Sequence, residues 1–252
     1  MSMSFIETNA FLFLAVFCRM GTTMMVLPGF GEMNVPAQIR LVLALMTSVV
    51  LAPVVASYYP PMPADLGPFM GILLGEFVYG LALGLIIRMF LASLQVAGNV
   101  IASQTGLSFA QNFDPTIGLQ GALVSSFLTI LGLTLIFQSD LHYLMIAGMT
   151  KAYDVLRPGI VPPWGDFADL ATRTLSLVFR LGIQMAAPFI VFSLVFYAAA
   201  GAIARLLPQI QVFFLVVPLN ILAGFALMML TLGAIMMLFL NTLGGALSRG
   251  WL

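Results

Sequence analysis

Chemistry in this chain is limited by what it lacks. His142 is the only histidine and Cys18 the only cysteine, so a two-histidine zinc site, an HExxH helix and a cysteine cluster are all impossible. No GxxxxGK[ST] phosphate loop occurs either. Gly106-Leu107-Ser108 has the beginning of a nucleophile elbow, but Phe109 and Ala110 occupy the places where G-x-S-x-G would end. A Ser108–His142 dyad is therefore not expected. His142 reads instead as an interfacial polar residue beside Asp140 and Tyr143, and Cys18 as a small packing residue. No catalytic, cofactor-binding or metal-binding residue is expected, and the chain is not expected to be an enzyme.

The remaining chemistry is that of isolated charges inside apolar segments. Arg19 interrupts the first such segment, and an arginine at membrane depth costs about 2.5–3.5 kcal/mol on insertion scales. It must reach an interface, or meet an acid or backbone carbonyls; the sequence leaves both open. Glu76 and Arg88 share one helix, but twelve positions separate them by about 18 Å along the axis and about 120° around it. They cannot pair with each other.

The elements carrying these residues follow from composition. The 252 residues are 62% hydrophobic and 7% charged, against about 25% charged in a soluble domain. About 20 apolar residues span the hydrocarbon of a bilayer. Residues 41–64, 115–139, 181–204 and 206–248 contain no Asp, Glu, Lys or Arg. An all-α, polytopic membrane protein is therefore predicted, with helices at about 8–28, 39–57, 66–97, 119–150 (a break near Asp140), 169–204 and 210–247. Pro28, Pro36, Pro53 and Pro60-Pro61-Met62-Pro63 read as joints, since proline lacks the amide donor. The connection 151–173 gathers six charges and should face water. Nothing before Arg19 is basic, so the first helix does not read as a removable signal. Nine basic and nine acidic residues cancel, leaving no basic patch for nucleic acid. Basic residues in the joints are too evenly matched by acids to set an orientation.

Small residues suggest how the helices meet. Gly71 and Gly75 form one small-xxx-small pair, and Gly80 and Gly84 another. Gly71 and Gly80 are about 180° apart around the axis, so the pairs open opposite faces and predict a helix packed on both sides. Glycine is also simply common in membrane helices. Residues 98–121 break the pattern with four glycines, many amides and hydroxyls, and Asp114 as the one charge. The segment is too polar for a lipid-facing helix and too apolar for an ordinary solvated loop. Unpaired backbone cannot face lipid, so it is expected to be buried in protein or to line an aqueous cavity; the plainer reading is an extramembrane turn, with Asp114-Pro115 starting the next helix.

The order of unusual residues carries a resemblance. Gly75-Glu76, Gly80 to Gly84, Ala97-Gly98, Gly106-Leu107-Ser108-Phe109-Ala110, Asp114-Pro115, His142, Ala187-Pro188, Arg205 with Pro208-Gln209 and Phe213, and Pro218 succeed one another. From roughly residue 10 to 245 this succession resembles the FliR family of flagellar export-gate subunits. The chain departs from the family pattern at Gln38, where a basic residue is common, and at Leu141, where glycine is usual. The resemblance implies one copy assembled with FliP and FliQ in the bacterial inner membrane at the flagellar basal body, contacted by FlhB and near FlhA. Unfolded flagellar proteins would be the cargo. It also implies a single export-gate domain over 1–252, with a FliP-like part over about 1–175 and a FliQ-like part over about 176–252. The hairpin would span 181–240 and turn at Arg205, Pro208 and Gln209. The loop 106–121, with Gly106, Leu107, Ser108, Phe109, Ala110, Phe113, Asp114 and Pro115, would plug the pore. Two other readings stand beside it: the equivalent subunit of a virulence type III secretion system, and a small-solute secondary transporter, which would need inverted repeats and intramembrane ion ligands that are not evident.

Overall fold

The computed structural model describes residues 3–32, 35–107, 123–160, 164–206 and 212–248. Every regular element among them is helical: α1 (Met3–Val26), α2 (Ala37–Val55), a 3-10 turn (Ala56–Tyr58), α3 (Leu66–Gln104), α4 (Leu123–Gln138), α5 (Leu141–Val155), α6 (Trp164–Leu206) and α7 (Val212–Ser248). Five helices are long and apolar enough to cross a membrane, or up to six if the broken pair α4 and α5 forms one span. The chain is an all-α polytopic membrane protein.

Several boundaries follow directly from backbone chemistry. Pro36 precedes α2 with φ −53° and ψ 137°, its ring fixing φ and holding the chain extended just before the helix begins. The expected break falls at Asp140, which adopts a left-handed conformation (φ 58°) between α4 and α5.

Three expectations need correction. Pro53 is not a joint but lies inside α2; one proline removes a single helical hydrogen bond, whereas the closely spaced prolines from Pro60 onward end the helical path. The charged connection is shorter than 151–173, because α5 runs to Val155 and α6 starts at Trp164, with Asp166 in its first turn, where the helix dipole favours a carboxylate. The irregular segment does not begin at Gly98: α3 continues to Gln104. A helix satisfies its own backbone, so polar side chains alone do not end it. It ends where the Thr105 amide donates to Ile101 O at 2.9 Å and Gly106 takes a positive φ of 76°, a conformation glycine adopts without steric cost.

The chain divides into two compact units. One comprises Met1–Phe90, Ser139–Leu175 and Gly244–Leu252. In it α1 packs on α2, and α2 also meets α5. Tyr79, Leu83, Ala152 and Leu156 form a buried cluster with Phe167 against it. The second unit comprises Leu91–Gln138 and Ser176–Leu243. There the C-terminal turns of α3 are approached by three helices, each with a glycine at a close contact. A Cβ on Gly98 would lie 2.4 Å from Ser125 Cα of α4; one on Gly182 of α6 would lie 2.7 Å from Val96 Cγ1; one on Gly224 of α7 would lie 2.5 Å from Thr105 Cγ2. Such approach lets membrane helices gain dispersion energy where no hydrophobic force drives them together. The outward face of α7 is largely apolar, with Met229 and Leu230 82% and 83% exposed.

Candidate functional site

The strongest polar feature of the first unit is built on Arg19 of α1, which is fully buried together with Glu76 of α3. The guanidinium grips the carboxylate through two bonds, Nε to Oε2 at 2.7 Å and Nη2 to Oε1 at 2.8 Å. Nη2 also donates to Leu156 O, just beyond α5, at 2.8 Å. The guanidinium carbon lies 3.8 Å from the Tyr153 ring centroid and 4.9 Å from that of Tyr79, so aromatic faces add cation–π attraction. Tyr59 donates to Glu76 Oε2 at 2.8 Å, and its hydroxyl lies 3.3 Å from that of Tyr153. Burial, with Tyr153 and Glu76 beside it, pushes the Tyr59 phenol well above its ordinary value, so it stays protonated and remains a donor. A buried ion pair holds best with good geometry and its remaining valences filled. Here the carboxylate accepts three bonds, while Arg19 Nη1 has no hydrogen-bond partner among the described residues.

Small residues bring α1 and α3 together at this depth. A Cβ on Gly80 would lie 2.3 Å from Arg19 O, and one on Gly84 would lie 2.9 Å from Val26 Cβ. Thr23 Oγ1 donates to Gly80 O at 3.1 Å across the same crossing. The other pair is different. A Cβ on Gly71 or Gly75 meets nothing within 4 Å, and both border an open cleft of about 470 Å³ with Pro60, Pro61, Pro68 and Trp164.

The second unit has a neutral network at the end of α3. Asn220 of α7, 1% exposed, donates from Nδ2 to Gln104 O at 3.1 Å and to the Tyr197 hydroxyl at 3.1 Å. Ser193 of α6 donates to Gln104 Oε1. The last turn of α3 is thus tied to α6 and α7 directly before Gly106. Both networks hold helices; neither presents a nucleophile with a base. Among the described residues no group of three or more His, Cys, Asp or Glu is placed to bind a metal.

Of the residues singled out in sequence, Gly106 closes α3, with Leu107 after it, whereas Ser108, Phe109, Ala110, Phe113, Asp114 and Pro115 lie outside the described residues. Arg205 is exposed in the last turn of α6, where a cation complements the helix dipole. Pro208 and Gln209 lie outside the described residues, between α6 and α7. The His142 ring lies 4.1 Å from that of Tyr143. Sequence reasoning missed Gly98, Gly182, Gly224 and Asn220. Only Gly98 carried a signal, beside small Ala97.

These features define a polytopic helical membrane protein whose buried polar groups join helices. The family described as bacterial export proteins, family 1, matches residues 10–246, and the chain belongs to it. It is similar to flagellar biosynthetic protein FliR of Caulobacter vibrioides, with 42% identity over 89% of each chain. It is similar also to FliR of Bacillus subtilis, 30% identical over 91% of this chain and 89% of the relative, and to FliR of Escherichia coli, 28% identical over 80% and 76%.

Proposed function

We propose that this chain is a non-enzymatic core subunit of the flagellar type III protein-export gate, forming with FliP and FliQ the channel through which unfolded flagellar proteins cross the bacterial inner membrane. The observation that carries the reading is the 42% identity to a flagellar FliR over 89% of both chains. Helix lengths support it. The 43 residues of α6 rise about 64 Å at about 1.5 Å per residue, twice the roughly 30 Å of bilayer hydrocarbon, which suits an assembly extending beyond the membrane plane. Outward apolar faces such as that of α7 give neighbouring subunits or lipid a surface to cover. On this reading one copy joins FliP and FliQ at the basal body, with FlhB and FlhA as neighbours. About 1–175 is the FliP-like part, about 176–252 the FliQ-like hairpin turning near Arg205, Pro208 and Gln209, and 106–121 the plug. The flagellar names of the relatives favour a flagellar over a virulence system.

The test is purification of the tagged chain from its own membranes, together with secretion by a strain lacking it. FliP and FliQ in fixed proportion, with loss of secreted flagellar proteins restored by the gene, are expected. A chain that purifies alone and moves a small solute in liposomes, in a strain that still secretes, overturns the reading.

A further inference from the structure

On α3 in the second unit, Gln95, Asn99 and Ser103 recur every four residues and are all exposed, while Leu94, Ile101 and Ala102 are buried. Ser126 of α4 is exposed beside them. Ser125 seals the crossing beneath, donating to Asn99 Oδ1 at 2.8 Å and Gln95 O at 3.2 Å. Above it opens a cleft of about 400 Å³ lined by Gln95, Asn99, Ser125, Ser126, Thr129 and Ile130. This face contrasts with that of α7, whose exposed large hydrophobic side chains are leucines, methionines and Phe225.

Lipid gives side-chain amides no partner, and burying one unpaired is costly. Polar side chains on membrane helices accordingly face protein or a water-filled space. Ser103 Oγ donates back to Asn99 O at 2.9 Å, which leaves its lone pairs, with the Gln95 and Asn99 amides, as the groups on offer; the stripe is uncharged and has no field that would trap an ion or a charged segment. An extended polypeptide presents one carbonyl at every residue, and one amide N–H at all but proline, whatever its sequence. A neutral wall of amides and hydroxyls matches that repeating pattern.

We propose that the Gln95–Asn99–Ser103 face, with Ser126, is part of the wall of the aqueous passage and is touched by unfolded polypeptide in transit. This rests on the export-gate reading. Contacts are brief because each is a water-replaceable hydrogen bond, and they are indifferent to cargo sequence because the wall reads backbone.

The test uses assembled complexes in membranes carrying Cys18→Ala with either Ser103→Cys or Ser126→Cys, both near-isosteric at exposed positions, and Met229→Cys as the apolar comparison. A charged, membrane-impermeant maleimide is applied with and without a cargo stalled by fusion to a tightly folded domain. Both serine positions are expected to label in the empty complex and to be protected severalfold by the stalled cargo, whereas Met229→Cys stays unlabelled. No labelling at either serine position means that lipid or a subunit covers the face; labelling indifferent to cargo means solvent outside the passage. Either overturns the proposal. Photo-crosslinkers along the stalled cargo, used with the unsubstituted chain, must also give adducts within residues 91–107, and their absence overturns it too. The export reading is judged separately: if a strain lacking this chain still secretes, that reading fails, whereas secretion that needs the chain while the stripe ignores cargo removes only the stripe assignment.

Discussion

Arg19 and Glu76 are 57 residues apart in sequence and joined at 2.7 Å by a fully buried, two-pronged ion pair. The pair ties α1 to α3, and through Leu156 and Tyr153 it reaches α5 and the residue beyond it. Two helices that could cross a membrane are thus held by one charged contact that neither solvent nor lipid can replace.

Glu76→Gln strands the Arg19 charge in a fully buried site. Breaking one partner of a buried pair costs about 3–5 kcal/mol, so chain abundance in membranes and thermal stability in detergent are expected to fall sharply. Arg19→Met combined with Glu76→Leu removes both charges and should recover much of the loss. Immunoblots of membrane fractions and melting curves check this, and a single Glu76→Gln chain as abundant as the parent contradicts it.

The two glycine pairs of α3 should separate two properties. Gly80→Leu and Gly84→Leu push side chains into the α1 backbone and Val26, and are expected to lower the amount of folded chain. A Cβ at Gly71 or Gly75 meets nothing within 4 Å, so Gly71→Leu and Gly75→Leu extend into the open cleft they border. On the export-gate reading they leave its abundance near the parent level but reduce FliP and FliQ copurification. Equal copurification from parent and Gly71→Leu membranes would make that notch incidental.

Gly98→Val is expected to destabilise the second unit strongly, because the added Cβ falls 2.4 Å from a backbone atom, Ser125 Cα, which cannot rotate away. Gly233→Ala on α7 meets nothing within 4 Å and should stabilise its helix by up to about 1 kcal/mol through propensity. Unfolding of the purified variants, measured side by side, gives opposite signs.

If 106–121 plugs the pore, deleting residues 110–117 leaves assembly largely intact, because the Gln104–Asn220 anchor precedes the deletion. The closed complex then leaks ions or small solutes. Membrane conductance, read alongside FliP and FliQ copurification, checks both halves. A fully assembled deletion complex as tight as the parent places the seal elsewhere.

Helix existence was legible in the sequence because hydropathy, proline and charge act locally: the uncharged runs carry α4 and α7, most of α2 and more than half of α6, and Asp140 broke one where the pattern faltered. The angular separation of the glycine pairs was legible too, because it depends only on the turn of one helix. What filled each face was not. Arg19 had an interface, an acid and carbonyls open to it, and only the crossing of α1 over α3 at Gly80 and Gly84 brought Glu76 within reach. Residues 98–104 read as irregular because amides and hydroxyls suggested exposed backbone. In the structure they are helical, since a helix closes its own backbone hydrogen bonds and leaves side-chain polarity to decide only what lies outside. The sequence by itself determined that the chain must be a bundle of apolar helices, because composition sets the solvent. Tertiary structure alone decided which polar groups found partners, because pairing depends on distances between segments far apart in the chain.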